Sequence, residues 1–450
     1  MLERMKIRVN DKLIDEYTIL RVTVVLIVIM LSGRDMFALP INSHMISLIC
    51  IPAFILLNYQ LLVPFVMFLI PLISGVSAGE LMLLAAIAII CKRKSRGYFQ
   101  YIIILIAIGL ELYASTYYPS INHAEIFQYF TITVVLFLLI LNYDCLDYKI
   151  CVKYYLYGVV CAVFVALLGS FTSGGLNISH LVSYEFRAHV GTRYETVDGA
   201  KLTFNANSYA YLCLTGVVCG LFLLNTDISK KSKKHIFIVT CLLGLFGMFS
   251  VSRTYVLVLA MVICLYTITG KISLKKMVRF LAIFGCLIIV VYIALKSNSS
   301  IMNAFIERFT GEDIETGGKR LILIHEYIEA FKANPRFFWV GTGVVEYRAI
   351  LNVFNSIHNA TQQIIICLGI PGSVLYFTAL LVPVLKVIKY RIELVFWIPF
   401  MAIVLFLQSI QFLNQSMFML TYVPAIYCLR YGTKSFCQKD LSQQIEEYRI

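Results

Sequence analysis

Long apolar runs separated by short polar segments recur from one end of the chain to the other. They centre near 17–33, 43–58, 61–76, 79–91, 100–118, 126–142, 154–173, 207–225, 235–251, 254–269, 279–296, 361–386, 393–412 and 415–431. A helix needs about 20 apolar residues to cross a bilayer core. The pattern therefore predicts an all-α, polytopic membrane helix bundle of about fourteen transmembrane helices. The runs within 43–91 are short; three helices fit them, and so do two tilted ones.

Composition supports this reading. The chain is 60% hydrophobic and 14% charged, with a mean hydropathy of +0.83. Soluble domains hold about 45–50% apolar and about 25% charged residues. No polar half interrupts the apolar runs, so residues 1–450 read as a single integral membrane domain.

The net charge of +13 raises the question of nucleic acid, and its distribution answers it. Lys92, Arg93, Lys94 and Arg96 form one basic cluster, and Lys230, Lys231, Lys233 and Lys234 another. Lys271, Lys275 and Lys276 form a third, and Lys386, Lys389 and Arg391 a fourth. Each lies between apolar runs, as cytoplasmic loops do because Lys and Arg resist translocation. No basic stripe interleaves with aromatics, so nucleic-acid binding is excluded. With the N-terminus inside, three helices in 43–91 bring all four clusters and the C-terminal tail to the cytoplasm. Arg4, Lys6, Arg8 and Lys12 precede the first span with no small-residue cleavage site after it, the pattern of an uncleaved signal anchor.

This topology leaves two large outer loops, 174–206 and 297–360. Within the second, Leu321, Ile324, Ile328 and Phe331 recur at helical spacing, and Asn334-Pro335 ends the run. The spacing predicts an amphipathic helix over 319–332, suited to the membrane surface. The thirteen cysteines form no Cys-x-x-Cys pair and none lies in either outer loop. They read as small buried hydrophobes, not as a disulfide framework or a zinc site.

Charged and titratable residues gather on the outer side. His44, His123, His180, His189, His325 and His358 all fall there. Arg253, in the tight turn Ser250-Val251-Ser252-Arg253, opposes the positive-inside trend; it either snorkels to headgroups or grips phosphate with its planar fork. Glu111, in the outer third of its span, requires a partner, either a buried arginine or a substrate. Glu185, Arg187, Arg193, Glu195, Asp198 and Lys201 crowd the first loop, as a solvated surface or as a site for a sugar and a diphosphate. His358 stands at the membrane boundary, where imidazole can serve as acid or base. Beyond it, Gly369-Ile370-Pro371-Gly372 predicts a kink or break that neighbours must satisfy.

Taken in order, these elements resemble the bacterial O-antigen ligase and Wzy-type polymerase superfamily over about 174–386. The resemblance rests on Ser252-Arg253, on Arg320 and His325 at the start of the amphipathic helix, and on Phe331, Asn334 and Pro335. Gly341-Thr342-Gly343, His358-Asn359 and Gly369-Ile370-Pro371-Gly372 follow. Arg187 and Arg193, ahead of Phe204-Asn205-Ala206-Asn207, complete it. It implies a GT-C-like, metal-independent glycosyltransferase without a cofactor. Such an enzyme passes a glycan from an undecaprenyl diphosphate donor to an acceptor hydroxyl. Without a metal, the departing diphosphate must be met by cations. The resemblance assigns Arg253 and Arg320 to that task, with Arg187 and Arg193 as further cations. It assigns His358 to the acceptor hydroxyl or to phosphate, with His325, Glu185, Glu195 and Asn359 as further substrate contacts.

The leading expectation is a repeat-unit polymerase in a bacterial inner membrane, meeting lipid-linked donor and acceptor glycans, membrane lipids, and possible partners in a chain-length regulator and a flippase. A ligase acting on lipid A–core is the nearest alternative, though about fourteen spans exceed the dozen usual in ligases. A lipid-linked oligosaccharide flippase is the alternative from another class. Transporters usually show internal repeats and charges at the membrane midplane, and this sequence shows neither.

Overall fold

The computed structural model describes residues 6–9, 12–93, 99–116, 122–141, 146–173, 190–250, 252–269, 285, 320–345, 347–353, 355–390, 392–413 and 416–447. Helices dominate. In chain order they are α1 (Glu16–Phe37), α2 (Ser43–Leu56), α3 (Tyr59–Leu69), α4 (Ala78–Lys92), α5 (Phe99–Ser115), α6 (His123–Ile140) and α7 (Tyr148–Ser173). Next come α8 (Ala206–Leu224), α9 (Lys230–Met248) and α10 (Arg253–Ile268). The C-terminal part holds α11 (Arg320–Ala333), α12 (Phe337–Val340), α13 (Tyr347–Leu351), α14 (Ala360–Ile388), α15 (Ile398–Leu407), α16 (Ser416–Leu420) and α17 (Tyr422–Glu447).

Among the described residues five helices, α1, α6, α7, α8 and α14, are long and apolar enough to cross a membrane. Shorter apolar helices account for other runs, and 43–91 holds three, α3 being extended by a 3-10 turn over Ile70–Gly75. The run at 279–296 lies outside the described residues, apart from Gly285. Two short ribbons depart from the all-helical expectation. One pairs β1 (Lys6–Val9) with β2 (Lys12–Asp15), and the other pairs β3 (Val190–Gly191) with β4 (Thr203–Phe204).

Lipid is written into the outer faces. Val22, Val25, Leu26 and Ile29 line one side of α1 at helical spacing, all more than 40% exposed, while Leu20, Ile27 and Leu31 on the other side are fully buried. An exposed apolar stripe of this kind needs a hydrocarbon surround. At the centre, α8 is buried nearly all round. Gly216 and Gly220 lie one turn apart on it; a Cβ at Gly220 would sit 2.1 Å from Thr240 Oγ1 of α9, and one at Gly216 would sit 2.6 Å from Leu243. Small residues four apart let two helix backbones approach closely, which replaces the hydrophobic drive missing inside a bilayer.

The helix ends sort into two layers. At one, Lys92 Nζ donates to the carbonyls of Phe54, Ile55 and Leu57, and Lys149 donates to Asp227 O. The layer at the other end contains the β3–β4 ribbon, the start of α10 and the segment 334–360. Arg193, Glu195, Arg253, His358 and Asn359 lie on these segments, and α11, which carries His325, is tied to them through Tyr327 and Asn355.

Candidate active site

The second layer is organised around a break in α14. Gly369 adopts φ +65°, ψ 179°, dividing the helix in two. Pro371 has no N–H to return to Cys367 O, so the sequence itself orphans a carbonyl there. The Gly341-Thr342-Gly343 turn supplies the missing donors. The Thr342 N–H donates to Ile366 O at 3.1 Å and the Gly343 N–H to Cys367 O at 3.0 Å. Gly341 itself sits at φ +70°, and a Cβ on it would lie 2.2 Å from Cys367 O. The two glycine motifs are thus the halves of one backbone junction, which meets the rule that a break at membrane depth must be satisfied by neighbouring groups.

Glu111 of α5 secures the same turn. Its carboxylate accepts the Val344 N–H at 2.5 Å and the Val345 N–H at 3.3 Å, and the side chain is 1% exposed. Among the described residues its partners are two consecutive backbone amides in place of the buried arginine that the sequence offered. Orphan amides at a turn can solvate a carboxylate as well as a guanidinium does.

Gln363 of α14 repeats the device. Its Oε1 accepts the N–H groups of Phe412 at 2.7 Å and Leu413 at 2.9 Å. One turn earlier, Asn359 caps α14: its Oδ1 accepts the Gln362 N–H at 2.9 Å while its Nδ2 donates to Gln408 O at 3.2 Å. An N-cap satisfies an orphan amide of the first turn. Both ends of this amide are engaged within the chain, so Asn359 orients the backbone beside His358. His358 is exposed.

The approach to His358 is fixed by two tyrosines. Tyr327 Oη donates to Asn355 O at 2.5 Å, and the Ile357 N–H donates to Tyr347 Oη at 3.3 Å. Burial raises the Tyr327 phenol, and raises that of Tyr347 to about 12. Both stay protonated at neutral pH.

These tyrosines also revise the amphipathic helix. Its limits, Arg320–Ala333, agree with the spacing, and Asn334 ends it by donating from Nδ2 to Ala330 O. Its buried line, however, is Tyr327 and Phe331, while Ile328 is 42% exposed. Hydropathy underrates a tyrosine whose ring packs beside another (Tyr347, 6.1 Å between centroids) and whose hydroxyl finds a carbonyl. His325 lies on the exposed side, and Glu329 and Lys332 form a surface pair there.

Arg253 is the first residue of α10, half-buried, after a turn in which Ser250 Oγ donates to Gly247 O. The first loop docks on the end of α7. The Gly191 N–H donates to Ser170 Oγ at 2.7 Å, and Tyr194 Oη to Thr172 O at 2.9 Å, seating the β3–β4 ribbon on the end of α7. Beyond that ribbon Asn205 caps α8, accepting the Ser208 N–H at 2.8 Å. Arg193 and Glu195 are exposed on this loop. Arg187 and Glu185 lie outside the described residues, as does the side chain of Arg320, whose backbone opens α11.

Sequence reasoning missed a buried ion pair under the first loop. Arg34 Nε and Nη2 donate to Asp35 at 3.1 and 2.8 Å, with side chains 1% and 0% exposed. The signal was available, since adjacent opposite charges at the end of a span are costly unless paired.

The structure defines a multi-pass membrane protein with a backbone-clamped polar layer at one end. Residues 236–377 match the family described as O-antigen ligase, and this segment places the resemblance within the O-antigen ligase/Wzy superfamily. It runs from α9 through Arg253 and His358 to the far side of the Gly369 break. No curated protein matches the chain.

Proposed function

We propose that this protein polymerises undecaprenyl-diphosphate-linked oligosaccharide repeat units into O-antigen, capsular or exopolysaccharide at the outer face of the cytoplasmic membrane. The observation that supports this reading is the junction of Gly341–Val345 with the α14 break, which fixes the helix whose start follows His358. In this reading both termini and the basic clusters face the cytoplasm, following the positive-inside pattern, and the polar layer faces outward.

In the proposed chemistry an acceptor hydroxyl attacks the anomeric carbon and the lipid diphosphate departs, its charge met by Arg253 and Arg320. Arg187 and Arg193 add positive charge in the first loop. His358, exposed beside a capped helix start, takes the hydroxyl proton or contacts phosphate. His325, Glu185 and Glu195 contact the glycan. Asn359 acts by holding the backbone next to His358.

The second reading, transfer of finished polymer to lipid A–core, is favoured by the description of the matched family as O-antigen ligase. Deletion of the gene, followed by electrophoresis of the surface glycan, separates the two. Loss of the ladder with single capped units remaining supports the polymerase. Loss of all attached glycan with accumulation of lipid-linked polymer supports the ligase. An unchanged ladder removes both.

A further inference from the structure

A cavity of about 300 Å³ opens in the polar layer between α6 and the second loop. Glu125, Gln128 and Tyr129 of α6 form one wall, Val344 and Val345 a second, and Leu413 a third. The second and third walls are those gripped by the two buried clamps. Glu111 holds the amides of Val344 and Val345, and Gln363 holds that of Leu413. A cavity whose walls are pinned by buried hydrogen bonds is preorganised, because a ligand entering it does not have to order the chain.

The lining selects a ligand class. Glu125 and Gln128 stand one turn apart, and Glu125 Oε1 accepts from Asn122 Nδ2 at 2.9 Å, which orients its carboxylate. A carboxylate accepts hydroxyl protons and an amide both gives and accepts them, the pairing that vicinal sugar hydroxyls require. Tyr129 adds an aromatic ring. An anion is disfavoured: the exposed carboxylate of Glu125 lines the cavity, so a diphosphate would meet like charge. A second cavity among the described residues, of about 220 Å³, is walled mostly by apolar residues such as Ile364, Leu380 and Phe400.

We infer that the cavity between α6 and the Val344–Val345 turn binds an uncharged, hydroxyl-rich sugar of the acceptor glycan, through Glu125, Gln128 and Tyr129. The inference rests on the reading of the chain as a glycan-transferring enzyme and adds an acceptor subsite apart from the arginines.

The test uses the full chain in lipid nanodiscs. The probe is the repeat-unit oligosaccharide released from the host's lipid-linked glycan by mild acid, so that it carries neither lipid nor diphosphate. Binding is followed by saturation-transfer NMR, and thermal unfolding checks each variant. Glu125→Ala and Gln128→Leu should each weaken binding about tenfold, the loss of one or two hydrogen bonds. Val345→Trp, which fills the cavity, should abolish it, and Gln128→Glu, which keeps an acceptor, should retain most of it. Arg253→Ala should bind as wild type. Wild-type affinity in the folded cavity variants, or no binding by the wild-type chain, overturns the subsite. If the gene deletion still abolishes the ladder, the polymerase reading survives that failure; an unchanged ladder removes the polymerase reading whatever the probe does.

Discussion

The carboxylate of Glu111 and the backbone N–H of Val344 meet at 2.5 Å, joining a membrane helix to a turn 233 residues further along the chain. The contact is buried, and a hydrogen bond in that low-dielectric surround is stronger than one in water.

Removing that carboxylate should be costly. Glu111→Ala leaves buried amides without an acceptor, at about 1–3 kcal/mol for each fully buried group. Glu111→Gln keeps one carbonyl acceptor and should retain part of the stability and part of the ladder. Thermal unfolding in detergent, read beside glycan electrophoresis, measures both. Equal loss from Ala and Gln would mean that the charge itself matters more than the acceptor.

The glycine junction makes a steric prediction. Gly341→Ala places a Cβ 2.2 Å from Cys367 O at φ +70°. The left-handed backbone alone costs about 1–2 kcal/mol, and the clash adds to that. Folded protein yield should fall, whereas Gly109→Ala, where no atom lies within 4 Å of the new Cβ, should be neutral. A Gly341→Ala protein with wild-type melting would contradict the junction.

Arg34 and Asp35 call for a double-mutant cycle. Breaking a buried pair from one side leaves an uncompensated charge, at about 3–5 kcal/mol. Arg34→Leu and Asp35→Leu should each destabilise strongly, and the double variant by less than either. Additive losses would show that the two charges are not coupled.

The first loop carries a pH dependence. Asp198 lies below its ordinary 3.8: its slight burial would raise it, but hydrogen bonds from Ser43 and the Ala200 N–H outweigh that and lower it. A depressed carboxyl stabilises the fold above its unfolded value, and the contribution is lost as pH falls through the folded one. The Asp198–Ser43 tie should therefore hold at neutral pH and fail only below about pH 3.8. Asp198→Ala should speed tryptic cleavage after Arg193 and Lys201 at neutral pH. Unchanged cleavage would mean that the tie does not seat the loop.

Arg253 tests the proposed chemistry. Arg253→Ala should abolish polymer at normal protein levels. Arg253→Lys should leave a trace, because an ammonium is a point charge and cannot grip phosphate in two places. A wild-type ladder from Arg253→Ala would remove the residue from the site. Arg320→Ala is read in the same way.

Much of the fold was legible along the chain. The three helices of 43–91, the limits of the α11 helix and the break at Gly369 followed from the placement of the basic clusters, the apolar spacing and the Gly-x-Pro-Gly step. The identity of partners was not. Glu111 was visible as a costly charge, yet its donors are main-chain amides, which no sequence pattern marks. Tyr327 was absent from the expected apolar face because its burial depends on Tyr347 and Asn355, brought beside it only by folding.

By itself, then, the sequence determined the membrane, the helices and the places where a helix must stop. These follow from the local cost of exposing apolar side chains to water and backbone groups to lipid. The tertiary structure alone decided which groups answer those costs: Thr342 and Gly343 for the broken helix, Val344 and Val345 for Glu111, Phe412 and Leu413 for Gln363. A hydrogen bond needs a distance and a direction, and for residues far apart in the chain only the packing of the helices supplies them.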